Sequence, residues 1–103
     1  MRRIKGGKIY DTNTATCICG TGNSLSTTDF GFEDSGLYVT RHGGYFVSGR
    51  GGAMSRFAFS NGDGYVGSSD IIVLSAGEAL AEAECHADAG TIVKHFSGML
   101  EEA

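Results

Sequence analysis

The chain has 103 residues, 41% hydrophobic and 19% charged, with 17 glycines and no proline. These values give one globular domain over 1–103 and exclude a disordered or low-complexity chain. The net charge of −4 and pI of about 5.2 argue against strong binding to nucleic acid, and no run approaches the roughly 20 apolar residues of a membrane helix.

Residues 1–8 hold four cations (Arg2, Arg3, Lys5, Lys8) and no acid, and no apolar signal-peptide core follows them, so the expected location is the cytoplasm. Lys8-Ile9-Tyr10-Asp11 predicts a short strand, and Asp11-Thr12-Asn13-Thr14 a turn, because these side chains bond nearby backbone. Thr14 to Cys19 predicts a second strand. Ser26 to Phe32 is β-compatible, with Phe30 and Phe32 on one face. Gly36-Leu37-Tyr38-Val39-Thr40 and Tyr45-Phe46-Val47-Ser48, around Arg41-His42-Gly43-Gly44, predict a β-hairpin. Phe57-Ala58-Phe59 fits a further strand, and Ala53 to Ala58 equally fits one helical turn. Ser60-Asn61-Gly62-Asp63-Gly64 is turn chemistry, and Asp70-Ile71-Ile72-Val73-Leu74 reads as a buried strand.

Ser75-Ala76-Gly77-Glu78 fits a capping box and starts a helix running to about Asp88, with Ala76, Ala79, Leu80, Ala83 and Ala87 on one face. Asp88 can cap a second helix with Ile92, Val93, Phe96 and Leu100 inward. Strands followed by helices give an α+β class: an antiparallel β-meander of about four to five strands with two C-terminal helices packed on it.

Cys17 and Cys19 would share one side of a strand, far in sequence from Cys85-His86. This is not zinc-ligand spacing, so the expectation is inert thiols and no metal or other cofactor. The three histidines stand near no nucleophile motif, and the chain is expected not to be an enzyme. Gly49-Arg50-Gly51-Gly52-Ala53-Met54-Ser55-Arg56 lacks the Walker spacing and reads as a loop, with Arg50 and Arg56 as candidate partner contacts.

Acids dominate the end of the chain: residues 70–103 carry seven against the single cation Lys94. Glu78 with Glu82, and Glu84 with Asp88, repeat at four-residue spacing, away from the Ala79-Leu80-Ala83 face, and no Lys or Arg lies on the helix to neutralise them. Asp29, Glu33 and Asp34 suggest a second acidic patch. Such surfaces are either solvated faces or contacts for a basic partner.

Several segments resemble a group of small proteins of phages and mobile elements: Gly7-Lys8-Ile9-Tyr10-Asp11-Thr12, Gly36-Leu37-Tyr38, Gly44-Tyr45-Phe46, Gly51-Gly52-Ala53-Met54-Ser55, and the helix start after Ile71-Ile72-Val73-Leu74. The chain is similar to type I anti-CRISPR proteins. The resemblance implies a stoichiometric inhibitor that binds a subunit of a type I CRISPR effector, as monomer or homodimer, without itself binding nucleic acid or membrane. Acidic DNA-mimicking surfaces on the effector's basic DNA-binding site are one mode; steric or allosteric inhibition through the glycine-rich loop is the other. A structural or regulatory adaptor of a mobile element is the alternative function.

Overall fold

The computed structural model describes residues 1–103. Strands β1 (Arg2–Lys5) and β2 (Lys8–Asp11) form a hairpin around Gly6-Gly7. Both glycines have positive φ, 59° and 76°, as a tight two-residue turn of the type that matches strand twist requires. Strand β3 (Thr16–Gly20), β4 (Glu33–Val39), β5 (Tyr45–Gly51) and β8 (Ser68–Leu74) build an antiparallel sheet in the order β3-β4-β5-β8. The β5–β8 connection carries a small hairpin of β6 (Phe59–Ser60) and β7 (Tyr65–Val66). Helices α1 (Ala76–His86) and α2 (Ala89–Phe96) follow, and a 3-10 turn over Ser97–Met99 comes after them.

The class is α+β, with antiparallel strands and two C-terminal helices. The β4–β5 hairpin forms where the sequence predicts it, paired from Glu33↔Gly51 to Val39↔Tyr45. Alternation along this ladder assigns the two faces. Leu37, Val39, Tyr45, Val47, Ile72 and Leu74 meet the helices. Their core includes Ile18, Phe57, Ala79, Ala83 and Phe96, with Tyr45 stacked on Phe96 at 5.3 Å between centroids. Alanines on α1 bring that helix close to the sheet.

On the opposite face, Phe46 and Ile71 are covered by Tyr10 of the β1–β2 hairpin. Tyr10 meets Phe46 edge-on at 5.6 Å, and Tyr38 stacks on Phe46 at 5.3 Å. The sheet therefore has a core on each side. Each fully buried Leu, Val, Ile or Phe side chain contributes on the order of 1.5–3 kcal/mol relative to its exposed state.

Several expectations are corrected. Residues 26–32 are consecutive turns, not a strand: Asp29 N–H donates to the Ser26 carbonyl (2.9 Å) and Phe32 N–H to that of Asp29 (3.1 Å). The Asn23 and Asp29 side chains bond the same backbone and compete with any ladder. Phe32 is buried and Phe30 exposed, so they do not share an environment. Ala53 to Phe57 is turn and bend, and the strand starts only at Phe59.

Strand β8 is an edge strand with Ile71 buried and Val73 exposed, not a wholly buried one. A bulge between Cys17 and Cys19 places Ile18 in the core and breaks the alternation. Cys17 consequently pairs with Tyr38 while Cys19 joins the helix-side core, so the two thiols do not share a side. Helix α1 ends at His86, because Asp88 is committed to capping α2. Ala76, Val93 and Leu100 are exposed rather than inward.

Candidate partner-binding surfaces

The acids of the helical end have local work. Ser75 accepts from the Glu78 amide (3.1 Å) and Glu78 accepts from the Ser75 amide (2.9 Å), which is the complete capping box. Asp88 accepts from the Thr91 amide at 2.8 Å. The Ser75 amide holds Glu78 below the usual carboxylate range, and the Thr91 amide does the same for Asp88.

Glu82 does have a cationic partner, supplied from another segment. Arg56, from the loop after β5, donates through Nη2 to Glu33 at 2.8 Å and through Nη1 to Glu82. Its Nε also reaches Glu33, at 3.1 and 3.2 Å. The guanidinium thus clamps β4, the loop and α1 together beside the buried Phe57. Burial by itself would lower the Arg56 pKa, but its hydrogen bonds to the Glu33 and Glu82 carboxylates outweigh this and push it up. His86 stands 3.9 Å from the far oxygen of Glu82.

Glu33 and Asp34 are neighbours on one strand, so they face opposite sides of the sheet. Glu33 points to the helices and Arg56. Asp34 lies on the other side, 3.7 Å from Arg50, its cross-strand partner. The Arg50 guanidinium also sits over the Phe32 ring at 5.3 Å. Asp29 accepts from the Gly31 amide at 2.8 Å and shapes its own turn. Among the nine side chains singled out in the sequence, only Glu84 makes no hydrogen bond or ion pair. The structure brings Glu33, Glu82 and Arg56 together, and Asp34 with Arg50, but it gathers no continuous acidic patch over Asp29, Glu33 and Asp34.

Of the exposed apolar side chains, Phe30, 67% exposed, and Met54, 78% exposed, stand on adjoining loops. Their loops are joined by backbone, with Met54 N–H donating to the Phe30 carbonyl (2.7 Å) and Gly52 N–H to that of Phe32 (2.8 Å). These bonds carry the β4–β5 pairing beyond its last ladder residues. Gly52 is required there, because a Cβ would fall inside contact distance of the Phe30 and Asp29 carbonyl oxygens. Ser55 closes the loop by donating to the Gly52 carbonyl (2.8 Å) and accepting from the Phe57 amide (3.2 Å). The only hint in the sequence is an aromatic and a methionine among glycines and turn formers, a pattern that does not reveal exposure.

The basic start of the chain is partly neutralised. Arg3 and Lys5 both reach Asp70 at 3.4 Å, and Lys5 also donates to the Ile71 carbonyl. The three cysteines are free thiols, and no three His, Cys, Asp or Glu side chains converge as a metal site. No helix is long and apolar enough to cross a membrane.

These features define a small α+β domain whose exposed loops are held by backbone hydrogen bonds. No protein-family model, curated protein or solved structure matches the chain. The resemblance to type I anti-CRISPR proteins therefore rests on the sequence segments alone.

Proposed function

We propose that this protein is a non-catalytic, stoichiometric inhibitor that binds a type I CRISPR effector complex and blocks its binding of target DNA. The partner comes from the sequence resemblance. The mode comes from one observation: Phe30 and Met54 are held solvent-exposed on two loops that backbone hydrogen bonds lock together. A preorganised loop pair loses little backbone freedom on binding, and large apolar side chains carried on it suit the buried centre of a protein interface. Most of the acids favour this loop-led mode over DNA mimicry, because they already serve caps, a clamp or turns inside the fold.

The deciding experiment compares two variants in binding to the purified effector complex. Phe30→Glu with Met54→Glu removes the apolar contacts; losing one contact worth about 2 kcal/mol weakens binding roughly 30-fold. Glu84, Glu101 and Glu102 changed together to Lys reverse acids that no internal bond uses, so their loss tests mimicry without disturbing caps or clamp. The loop-led mode requires the first variant to lose binding and the second to keep it; the reverse outcome selects DNA mimicry.

A second reading draws support from Ile4 and Ile9, an exposed cross-strand pair at 71% and 62% exposure on the β1–β2 hairpin. This apolar pair favours an adaptor that self-associates through the hairpin. Sedimentation of wild type against Ile4→Lys tests it: a dimer that the substitution dissociates supports the adaptor, and a monomer in both cases removes the support.

A further inference from the structure

We propose that the groove between the β1–β2 turn and the β4–β5 turn binds a phosphate-bearing anion. The groove is open to solvent and has a volume of about 870 Å³, with Gly7, Lys8, Tyr10 and Thr14 on one wall and Arg41 and His42 on the other. A volume of this order falls in the range of small-molecule sites, about 300–1,000 Å³.

The charge of the lining favours an anion. Lys8 and Arg41 are cations, the His42 ring offers a further N–H donor, and no carboxylate lines the groove. Cations are scarce in this chain, eight Lys and Arg against twelve acids. Arg3 and Lys5 are paired with Asp70, Arg50 with Asp34, and Arg56 with Glu33 and Glu82. Lys8 and Arg41 have no carboxylate partner, yet two hairpins distant in sequence bring them to one concavity. Like charges gathered in a cleft repel one another and focus a positive field, which an anion relieves.

The fold also holds both walls in place. Lys8 follows directly on the Gly6-Gly7 turn, which fixes the end of its hairpin. Arg41 and His42 sit in a loop closed by Thr40 N–H to the Gly44 carbonyl (2.8 Å) and Gly43 N–H to the Thr40 carbonyl (3.0 Å). The Thr40 hydroxyl further accepts from the Gly44 amide at 2.9 Å. Tyr10, packed edge-on against Phe46, ties this wall of the groove to the core. A guanidinium fork and an ammonium on two fixed turns suit the tetrahedral oxygens of phosphate better than a single planar carboxylate.

The phosphate can be carried by a small free ligand or by a nucleic-acid strand, and two probes separate these sources. The inference does not depend on CRISPR inhibition and is tested on the isolated full chain. Amide NMR spectra are followed while inorganic pyrophosphate or an eight-residue oligothymidylate is added at low salt. We expect saturable shifts centred on Gly7, Lys8, Gly43 and Gly44. Lys8→Gln and Arg41→Gln should each weaken binding about tenfold. Arg2→Gln and Lys94→Gln, which alter unpaired cations outside the groove lining, should change it little. Comparable binding of both probes identifies a small phosphate ligand as the source. Clearly tighter, salt-sensitive oligonucleotide binding identifies a strand. Saturation by neither probe up to about 10 mM, weaker than any specific site of this kind, overturns the proposal. Equal weakening by Arg2→Gln or Lys94→Gln does the same, since it signals diffuse attraction.

Discussion

Replacing Arg56 by Met keeps an unbranched apolar stem and removes the guanidinium that holds β4, the loop and α1 together. The Glu33 and Glu82 side chains are only 12% and 23% exposed, and that of Arg56 is 27% exposed. The clamp is thus neither a solvated surface pair nor a fully dry one. A hydrogen bond to a charged group contributes about 1.5–3 kcal/mol, and stranding the partners of a fully buried pair costs about 3–5 kcal/mol. With the remaining exposure discounted, Arg56→Met should cost about 2–3 kcal/mol. For a domain of this size each kcal/mol moves Tm by about 4–8 °C, so the expected drop is roughly 8–24 °C. Urea unfolding followed by circular dichroism gives the free energy, and a thermal scan gives Tm. Adding Glu33→Gln and Glu82→Gln to Arg56→Met should restore much of the loss, because the facing carboxylates are then gone. A change below about 0.5 kcal/mol for Arg56→Met, the level of an ordinary surface substitution, refutes the clamp as a structural element.

Three further outcomes follow from the same geometry. Burial alone would raise the Asp70 pKa, but the Ile71 amide, Lys5 and Arg3 outweigh it and hold it low; the caps hold Glu78 and Asp88 low as well. A lowered folded pKa means the unfolded state binds the proton more tightly. The stabilisation is therefore present above the unfolded carboxylate value of about 4 and is lost as pH falls through the lower folded values. Urea midpoints from pH 7 to 2 should fall in that acid window, and Asp70→Asn should make the fall shallower. Burial pushes the Cys19 thiol up, with Cys17 and then Glu82 adding to it, while Cys17 and Cys85 are exposed; mass spectrometry of timed alkylation at pH 8 should find Cys19 the slowest to react. Gly52→Ala should part the Phe30 and Met54 loops, seen as faster hydrogen exchange at the Met54 amide, whereas unchanged exchange means that the backbone yields without opening.

The elements with local signals were legible in the sequence. The β4–β5 hairpin has β-branched and aromatic runs around a glycine-bearing turn, and both helix starts have side-chain caps within three residues. Residues 26–32 misled because Phe30 and Phe32 alternate like a strand, while the side-chain bonds of Asn23 and Asp29 that fold them into turns give no periodic signal. The acid rows misled differently. Helical spacing placed Glu82 on an uncompensated face, yet its cation arrives from Arg56, 26 residues earlier in the chain. The same limit hid that Lys8 and Arg41 line one groove, since the approach of separate hairpins is a property of topology.

The most direct test of the central claim is target-DNA binding by a purified type I effector complex, titrated with this protein. The account predicts loss of DNA binding at about one molecule per complex, abolished by the Phe30→Glu, Met54→Glu variant while that variant remains folded. Undiminished DNA binding in the presence of excess wild-type protein would contradict it.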